Sequence, residues 1–305
     1  MKKIVIVCGP TATGKTSFAV DVAKKIDGEI VSADSVAVYR GLDVGSAKPT
    51  EEEKGGIRHH LIDVVSPHEG FSVSDYERLA LEAIDEISAK GKIPIVCGGT
   101  GFYIRSVLCS FSYGGAPENR EIREKYAELI EKNGKNYVYE KLREVDLETA
   151  EKLHPNDVMR VVRALEIYET TGRKKSEIRD EAQPRFDAYS VMPLFPRPVL
   201  YRRIETRVDE MMKRGLLGEV KGLLENGVPE NAQCMQAIGY KELIVGLRNG
   251  DIPSAVEEIK RNSRRYAKRQ ITFFKTFPSL RTFDGESLFE REREISNIYD
   301  FIYNN

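Results

Sequence analysis

The sequence lacks the features that mark membrane, secreted and zinc-binding proteins. No apolar run approaches the roughly 20 residues that a membrane-spanning helix needs. The first residues enter an apolar segment and then a glycine loop, unlike a cleaved signal peptide. The four cysteines are far apart and form no C-x-x-C pair: Cys8, Cys97, Cys109 and Cys234. We therefore expect buried, reduced thiols in a cytoplasmic protein, without a zinc site or a disulfide framework.

A large excess of either charge is also missing. The 305 residues carry a formal net charge of −1, and 41% of them are hydrophobic, which is ordinary for a soluble protein. The chain as a whole is therefore not a general polyanion binder. Its length suits one large domain or two unequal ones.

The first sixteen residues contain the phosphate-binding motif G-x-x-x-x-G-K-T. The stretch GPTATGKT follows the apolar run IVIV and precedes a helical pattern, which is the context that the motif requires. Its backbone N–H groups and the helix amino terminus favour an anion, Lys15 would contact phosphates, and the Thr16 hydroxyl would help to hold Mg²⁺. The residues predicted to line a diphosphate are Gly9, Pro10, Thr11, Ala12, Thr13, Gly14, Lys15 and Thr16.

A second magnesium carboxylate is not evident. Many P-loop NTPases have an apolar strand that ends in an aspartate magnesium ligand. Here the run IPIVC leads into Gly98–Gly101 instead, and Asp63 in the segment LID is a weak alternative. No motif for guanine recognition is present. An ATPase function stays open but has little support in the sequence.

Strand and helix patterns alternate through the first hundred residues. The segments IVIVCG, EIVSADS and KIPIVCG predict strands, whereas TSFAVDVAKK and VSDYERLALEAIDEIS predict helices. Ser74 and Glu77 are predicted to form a capping box. This order predicts an α/β fold, a P-loop NTPase-like parallel sheet with helices on both faces. Ligands bind such sheets at the carboxyl ends of the strands.

A change of composition near SYGGAP, residues 112–117, suggests an insertion. The following segment is rich in Glu, Lys and Arg with helical periodicity, and it is interrupted at Asn133–Gly134 and at HPND. We expect a helical insertion domain over residues 115–189 and a catalytic core over residues 1–114 and 190–305. The stretch PRFDAYSVMPLFPRP predicts a strand that returns to the sheet.

Asp34 follows a predicted strand, so it should emerge at the same edge of the sheet as the P-loop. Two interpretations are open, a catalytic carboxylate or a helix cap, because Asp-Ser precedes an apolar segment. His59 and His60 are adjacent, and adjacent side chains of an extended segment point to opposite faces. We therefore expect structural histidines rather than a metal pair.

The segment KRNSRRYAKRQITFFK, Lys260–Lys275, contains seven basic residues and no acid. On a helix, positions 260, 264 and 268 form one basic stripe, positions 261, 265 and 269 form another, and apolar residues lie opposite. A solvated face usually mixes both signs of charge, so this unmixed ridge predicts contact with a nucleic acid. Arg160 and Arg163 add a second basic spot in the insertion.

Taken together, these blocks resemble the tRNA dimethylallyltransferases, also called tRNA isopentenyltransferases. The resemblance runs from residue 1 to about residue 280 through GPTATGKT, SADSVAVYRGLDVGSAKP, HHLIDVVSP, FSVSDYERLA, PIVCGGTGFYI, HPNDVMRVVRALEIYETTG, QAIGYKEL and YAKRQITFFK. Few other families join a P-loop to these downstream blocks. Some members add a carboxyl-terminal zinc finger, which we do not expect here because its cysteine and histidine set is missing.

The resemblance implies a prenyl transfer instead of nucleotide hydrolysis. The P-loop would bind the pyrophosphate of dimethylallyl diphosphate, with Mg²⁺ as the cofactor. The dimethylallyl group would pass to the exocyclic amine of the adenosine 3′-adjacent to the anticodon in tRNA, and pyrophosphate would leave. The implied partners are the tRNA anticodon stem-loop and the diphosphate donor, with no membrane, and we expect a monomer.

The resemblance also implies site residues. Asp34 would accept the proton of the amine, Thr16 would lie near the departing charge and bind the metal, and Arg207 would contact the pyrophosphate, with Arg203 as a second choice. The positions implied to contact tRNA are Asp34, Ser35, Val36, Ala37, Thr100, Arg123, Met159, Arg160, Val161, Val162, Arg163, Gln236, Ala237, Ile238, Gly239, Tyr240, Lys241, Lys268, Arg269, Gln270, Ile271, Thr272, Phe273, Phe274 and Lys275.

Three other functions remain as alternatives. An adenylate isopentenyltransferase uses the same donor, but its free nucleotide acceptor needs neither the insertion nor the basic ridge. A P-loop small-molecule kinase would turn over ATP. A non-catalytic RNA-binding protein would have no need for Lys15, Thr16 and Asp34 together.

Overall fold

A computed structural model describes residues 1–110, 115–116, 118–178 and 183–304. The chain forms two compact units, one from Met1–Leu108 with Pro184–Asn305 and the other from Cys109–Gln183. The sequence placed the ends of the insertion at residues 115 and 189. The composition change that suggested the first boundary lies largely outside the described residues. Within the described part of the chain, no helix is both long and apolar enough to cross a membrane.

The larger unit is built on a six-stranded parallel sheet, as predicted. Its strands, in the spatial order β3-β2-β4-β1-β7-β8, are β1 (Lys3–Cys8), β2 (Gly28–Ala33), β3 (His59–His60), β4 (Ile93–Gly98), β7 (Asp187–Leu194) and β8 (Arg281–Asp284). Two short strands, β5 (Cys109–Ser110) and β6 (Gln183–Pro184), form a separate pair. The segment PRFDAYSVMPLFPRP therefore does contain the returning strand.

Both faces of the sheet are covered, which explains why its strands are apolar throughout. Along β1, Ile4 and Ile6 point into one core, whereas Val5 and Val7 point into the other. The helices of the larger unit are α1 (Lys15–Lys25), α2 (Glu51–Lys54), α3 (Val73–Ala89), α4 (Gly101–Leu108), α9 (Arg197–Lys213), α10 (Leu216–Glu225), α11 (Tyr240–Asn249), α12 (Ile252–Phe274) and α13 (Leu288–Tyr303).

The cap of α3 differs from the prediction. Ser72 is the capping residue, and its hydroxyl accepts a hydrogen bond from the Asp75 amide at 3.1 Å while the Asp75 carboxylate accepts one from the Ser72 amide at 3.0 Å. The predicted pair Ser74–Glu77 was wrong because the helix begins at Val73, which puts Ser74 inside the first turn. Glu77 forms an ion pair with Arg185 instead.

The smaller unit is helical, with α5 (Arg120–Asn133), α6 (Lys135–Val145), α7 (Leu147–Glu151) and α8 (Val158–Thr171). Gly134 separates α5 from α6, and the HPND segment, residues 154–157, lies between α7 and α8, so both interruptions read from the sequence are confirmed. Its core has its own apolar side chains, including Tyr126, Leu142 and Leu165.

The cysteines are all free. Cys8, Cys97 and Cys234 are buried, whereas Cys109 is partly exposed, so the predicted burial holds for three of the four. Burial raises the pKa of the Cys97 thiol to about 12. This thiol is therefore protonated at neutral pH.

The histidine pair has a structural role near the start of β2. His60 Nε2 lies 2.8 Å from the buried carboxylate of Glu29, and His59 Nδ1 lies 2.9 Å from the Ile57 carbonyl oxygen. Burial would raise the pKa of Glu29, but hydrogen bonds from His60, Lys90 and Lys92 outweigh burial and lower it. The ionised form of Glu29 is therefore stabilised by folding.

This lowered pKa predicts an acid-sensitive contribution to stability. Because the folded pKa of Glu29 lies below the unfolded value, its contribution is present above the unfolded value of about 4.3 and is lost as pH falls through the folded one. We expect Glu29→Gln to lower the free energy of unfolding at pH 7 by about 1–3 kcal/mol. Urea unfolding at pH 7 and near pH 4 measures the difference from wild type, which should shrink at the lower pH. A difference independent of pH would contradict the assignment.

Candidate active site

The carboxyl ends of β1, β2 and β4 bring together the loops that the sequence singled out. The P-loop follows β1, Asp34 follows β2, and the turn Gly98–Gly101 follows β4. Gly9 has φ of +142°, and a Cβ there would lie 3.2 Å from Met192, so this position favours glycine. The loop then enters α1, whose amino terminus supplies free N–H groups.

Gln270 fixes the P-loop to the turn after β4. Its buried side chain accepts a hydrogen bond from the Thr11 amide at 3.3 Å and donates one to the Gly99 carbonyl oxygen at 2.9 Å. Arg203 holds the other side of the loop, because its Nε donates to the Ala12 carbonyl oxygen at 2.7 Å and its guanidinium lies over the Phe195 ring. These contacts fix the loop on two sides.

Asp34 closes the turn that follows β2. Its Oδ1 accepts hydrogen bonds from the amides of Val36 at 2.8 Å and Ala37 at 3.1 Å. Residues 35–38 form a turn, and the next helix is Glu51–Lys54, so the helix-cap interpretation was wrong. Asp34 also lines a cavity together with Lys15 and Arg207. One carboxylate oxygen thus fixes the side chain, and the other has no hydrogen bond to the described residues.

The charges around this cavity are unbalanced. Burial lowers the pKa of Lys15, the charge of Arg207 lowers it further, and Asp34 opposes the shift. Burial also lowers the pKa of Arg207, and Asp34 again opposes that shift. Two cations that are desolvated beside each other favour binding of a multivalent anion, which would raise both pKa values.

Arg207 is held less firmly than Arg203. Its Nη2 lies 3.5 Å from the Ser46 carbonyl oxygen, and its buried Nε has no partner within the described residues. Arg203 donates through Nε to the loop backbone. Arg207 is therefore better suited than Arg203 to bind an incoming anion.

Two cavities meet at these cations. The first has a volume of about 350 Å³ and includes the apolar side chains Ile204, Val208, Met211 and Ile259. The second has a volume of about 770 Å³ and includes Thr16 and Arg203. Lys15 and Arg207 line both cavities. Asp63, the weak candidate for a magnesium carboxylate, lines neither of them and instead pairs with Lys48 at 2.6 Å.

Glu219 supports a loop that lines this site, and the sequence did not reveal it. Its carboxylate accepts hydrogen bonds from the amides of Asp43, Val44 and Gly45 at 2.7, 2.7 and 3.0 Å, and from the Tyr240 hydroxyl at 2.6 Å. This cluster holds the loop that contains Ser46, whose carbonyl contacts Arg207. No motif signals it, because 174 to 176 residues separate the carboxylate from the amides.

Some of the basic residues in the predicted ridge on α12 have acidic partners among the described residues, and others do not. Lys260 pairs with Asp209 at 2.8 Å, Arg264 pairs with Glu205 at 2.6 Å, and Arg261 pairs with Glu258. The prediction of a continuous cationic face was wrong here, because α9 and the preceding turn of α12 supply acids. The exposed cations without an ion pair in the described structure lie further along the segment: Arg265, Lys268, Arg269 and Lys275.

The basic spot in the smaller unit is also neutralised. Arg163 and Arg123 both pair with the buried carboxylate of Glu166, at 2.5 and 2.9 Å, and Arg160 pairs with Asp157 at 2.8 Å. The correction again comes from acids that a one-dimensional pattern does not reveal. Beside these arginines, Met159 is 75% exposed.

The remaining positions implied to contact tRNA differ in accessibility. Gln236, Ala237, Ile238, Gly239 and Lys241 line the first cavity together with Ser35, Val36 and Arg269. Thr100 accepts a hydrogen bond from the Ser35 amide at 3.0 Å. Thr272 and Lys275 are exposed, whereas Ile271 and Phe273 are half-buried. The positions with buried side chains are Ala37, Val161, Val162, Tyr240, Gln270 and Phe274.

Comparison with known proteins identifies the family. The family model described as IPP transferase matches residues 37–277, which is most of the chain. The chain belongs to the IPP transferase family. A tRNA dimethylallyltransferase from Caldanaerobacter subterraneus subsp. tengcongensis is 46% identical over 98% of this chain and 97% of its own.

Solved structures of IPP transferases agree with this assignment. The full-length tRNA isopentenylpyrophosphate transferase from Bacillus halodurans is 39% identical, with a TM-score of 0.74, covering 100% of this chain and 96% of that one. A eukaryotic dimethylallyltransferase acting on tRNA is 30% identical, with a TM-score of 0.86, covering 100% of this chain and 80% of that one. The fold class read from the sequence is thus confirmed.

The hydrogen bonds of Glu219 predict that this residue contributes to both stability and anion binding. Glutamine offers one acceptor oxygen where four donors converge, so Glu219→Gln should cost about 1.5–3 kcal/mol of stability and weaken pyrophosphate binding. Glu225→Gln, an exposed position on the same helix, is the matched control. Urea unfolding and thermal shifts with pyrophosphate measure both effects. Equal behaviour of the two variants would mean that the cluster does not support the anion site.

Proposed function

We propose that this IPP transferase moves the dimethylallyl group of dimethylallyl diphosphate to the exocyclic amine of the adenosine 3′-adjacent to the anticodon in tRNA. The observation that carries the proposal is the pair of half-buried cations, Lys15 and Arg207, which line two cavities, one of them shared with Asp34. The names of the relatives support tRNA as the acceptor and a prenyl group as the cargo.

In this mechanism the P-loop binds the leaving group. The bond between the allylic carbon and the diphosphate oxygen breaks, and negative charge develops on pyrophosphate. Lys15, Arg207 and the N–H groups at the start of α1 stabilise that charge. Because both cations are partly shielded from solvent, their interaction with the developing charge is stronger than it would be in water.

Asp34 receives the proton as the amine attacks. The amine is a poor nucleophile because its lone pair is delocalised into the adenine ring, so it needs alignment and a proton acceptor. The amides of Val36 and Ala37 hold Oδ1, which leaves Oδ2 to accept the proton. The apolar residues of the first cavity would surround the five-carbon group. The adenine must leave its stack to reach that group.

Mg²⁺ fits this site if most of its ligands come from the substrate. No cluster of three or more His, Cys, Asp or Glu residues that could hold a metal occurs in the described parts of the chain. Mg²⁺ retains waters and commonly binds through substrate phosphates with few protein ligands. Thr16, at the start of α1, would supply its hydroxyl. When bound, the metal would neutralise charge on the diphosphate.

This ligand set predicts that metal binding depends on pyrophosphate. We expect Mg²⁺ alone to leave the melting temperature nearly unchanged, and Mg²⁺ with pyrophosphate to raise it above the value for pyrophosphate alone. Addition of EDTA should remove the difference. An equal stabilisation by Mg²⁺ in the absence of pyrophosphate would point to protein ligands beyond Thr16.

The function is tested with dimethylallyl diphosphate labelled in the prenyl group. Incubation with tRNA should transfer the label to RNA, whereas AMP should accept none. Label on AMP would identify an adenylate isopentenyltransferase. Turnover of ATP that is unaffected by the prenyl donor would identify a kinase or an ATPase.

The role of Asp34 is tested by Asp34→Asn. The amide oxygen can still accept hydrogen bonds from Val36 and Ala37, so the fold and pyrophosphate binding should be preserved. Because the amide is a very weak base, the chemical step should slow by about a hundredfold or more. Single-turnover prenylation with enzyme in excess over tRNA measures that step. A rate near that of wild type would leave Asp34 with only the role of stabilising the turn.

The corrected charge pattern of α12 predicts which cations bind tRNA. Replacing Arg265, Lys268 and Lys275 together by alanine should reduce the slope of log Kd against log salt by about 0.7–0.9 for each lost phosphate contact. The matched control replaces Lys260, Arg261 and Arg264, which removes the same charge but only cations that are already paired. The rate at saturating tRNA should change little. Equal slopes for the two triple variants would contradict this division of the helix.

A further inference from the structure

Phe102 is an exposed aromatic residue that the proposed mechanism does not use. It lies in the first turn of α4, three residues after the cavity-lining Gly99, and 62% of its surface is exposed. The next residue, Tyr103, is buried and stacks on Tyr76 with ring centroids 4.0 Å apart. Helix α4 therefore packs against the core through Tyr103, whereas Phe102 lies at the surface.

The Phe102 ring is supported from one side only. It lies against Phe273 of α12, with centroids 5.0 Å apart and planes tilted by 49°. Phe273 in turn contacts Phe274 and Phe277 edge-on, at 6.1 and 5.7 Å. Because both of those rings are buried, Phe273 has a firm base, and Phe102 has a fixed position above it.

Helices α4 and α12 approach each other closely at this point. A Cβ on Gly101 would lie 2.2 Å from the Phe273 ring, so glycine is what allows the two helices to approach. The Arg105 guanidinium also lies over the Phe273 ring, 5.6 Å from its centroid. The aromatic pair, which we call the platform, is therefore closely packed, and each of its rings follows a cavity-lining residue by three positions: Gly99 precedes Phe102, and Gln270 precedes Phe273.

The surroundings of the platform are cationic. Arg269 lines the cavity one helical turn before Phe273, and Lys268 is its exposed neighbour. Lys275 follows two residues after Phe273. An exposed ring among cations favours binding of single-stranded RNA, because phosphates bind the cations and a base stacks on the ring.

We propose that Phe102 stacks on an unpaired nucleobase of the tRNA loop next to the adenosine that enters the cavity. This inference rests on the proposed function. It adds a contact that depends on how the bases of the loop are arranged, and not on the charge of its phosphates. Phe102 would hold a neighbouring base in place while the target adenine is out of its stack. Phe102 is thus a tRNA-positioning residue and takes no part in the transfer of the prenyl group.

The test combines tRNA binding with prenylation. In Phe102→Ala, the KM and Kd for tRNA should rise about tenfold or more, while kcat and the pyrophosphate-induced thermal shift stay unchanged. The slope of log Kd against log salt should also stay unchanged, because no phosphate contact is lost. Phe102→Trp should retain the affinity of wild type, since its ring can stack. Phe102→Leu, which is apolar without a π face, should behave like Phe102→Ala.

The matched control is Phe289→Ala, which removes an aromatic ring that is 76% exposed near the start of α13. We expect its affinity for tRNA to equal that of wild type. An unchanged Kd for Phe102→Ala, or a full recovery of affinity in Phe102→Leu, would overturn the stacking contact. Failure of wild-type protein to prenylate tRNA would instead contradict the proposed function, because the Kd of each variant is measured without transfer.

Discussion

The need to balance partly buried positive charge underlies the arrangement of the site. Lys15 and Arg207 are desolvated next to each other, and Asp34 opposes their shifts in pKa only in part. A protein can keep such a pair only if the surrounding structure prevents the side chains from moving to solvent. Gln270, Arg203 and Glu219 provide that restraint, since each binds the backbone of a loop that borders the cations. The stored electrostatic cost is what an incoming diphosphate would relieve.

The sequence predicted the elements whose cause is local. The P-loop, the buried parallel strands and the break at Asn133–Gly134 depend on residues within a few positions of one another, so a one-dimensional pattern contains them. The emergence of Asp34 at the same edge followed from the rule that parallel strands end together. The cap of α3 was missed because two overlapping polar pairs fit the same spacing, and the helix begins directly after Ser72, the first residue of the earlier pair.

The sequence could not predict contacts whose partners are far apart in the chain. Glu219 binds three amides of another loop, and Lys260 and Arg264 find their acids on α9. Charge counted along one helix overstated the cationic face for this reason. Ion pairs divide the cations of α12 into two groups. Those as far as Arg264 pair with acids of the protein, whereas those that follow are available to a ligand.

Ala12 has a consequence for how readily the loop accepts its ligand. Its φ of +65° lies in the left-handed region that a residue with a side chain seldom adopts. The Arg203 contact to its carbonyl oxygen and the packing of its methyl group maintain this conformation. The chain thus meets the cost of ordering the loop when it folds, so little conformational entropy is left to lose when the anion arrives.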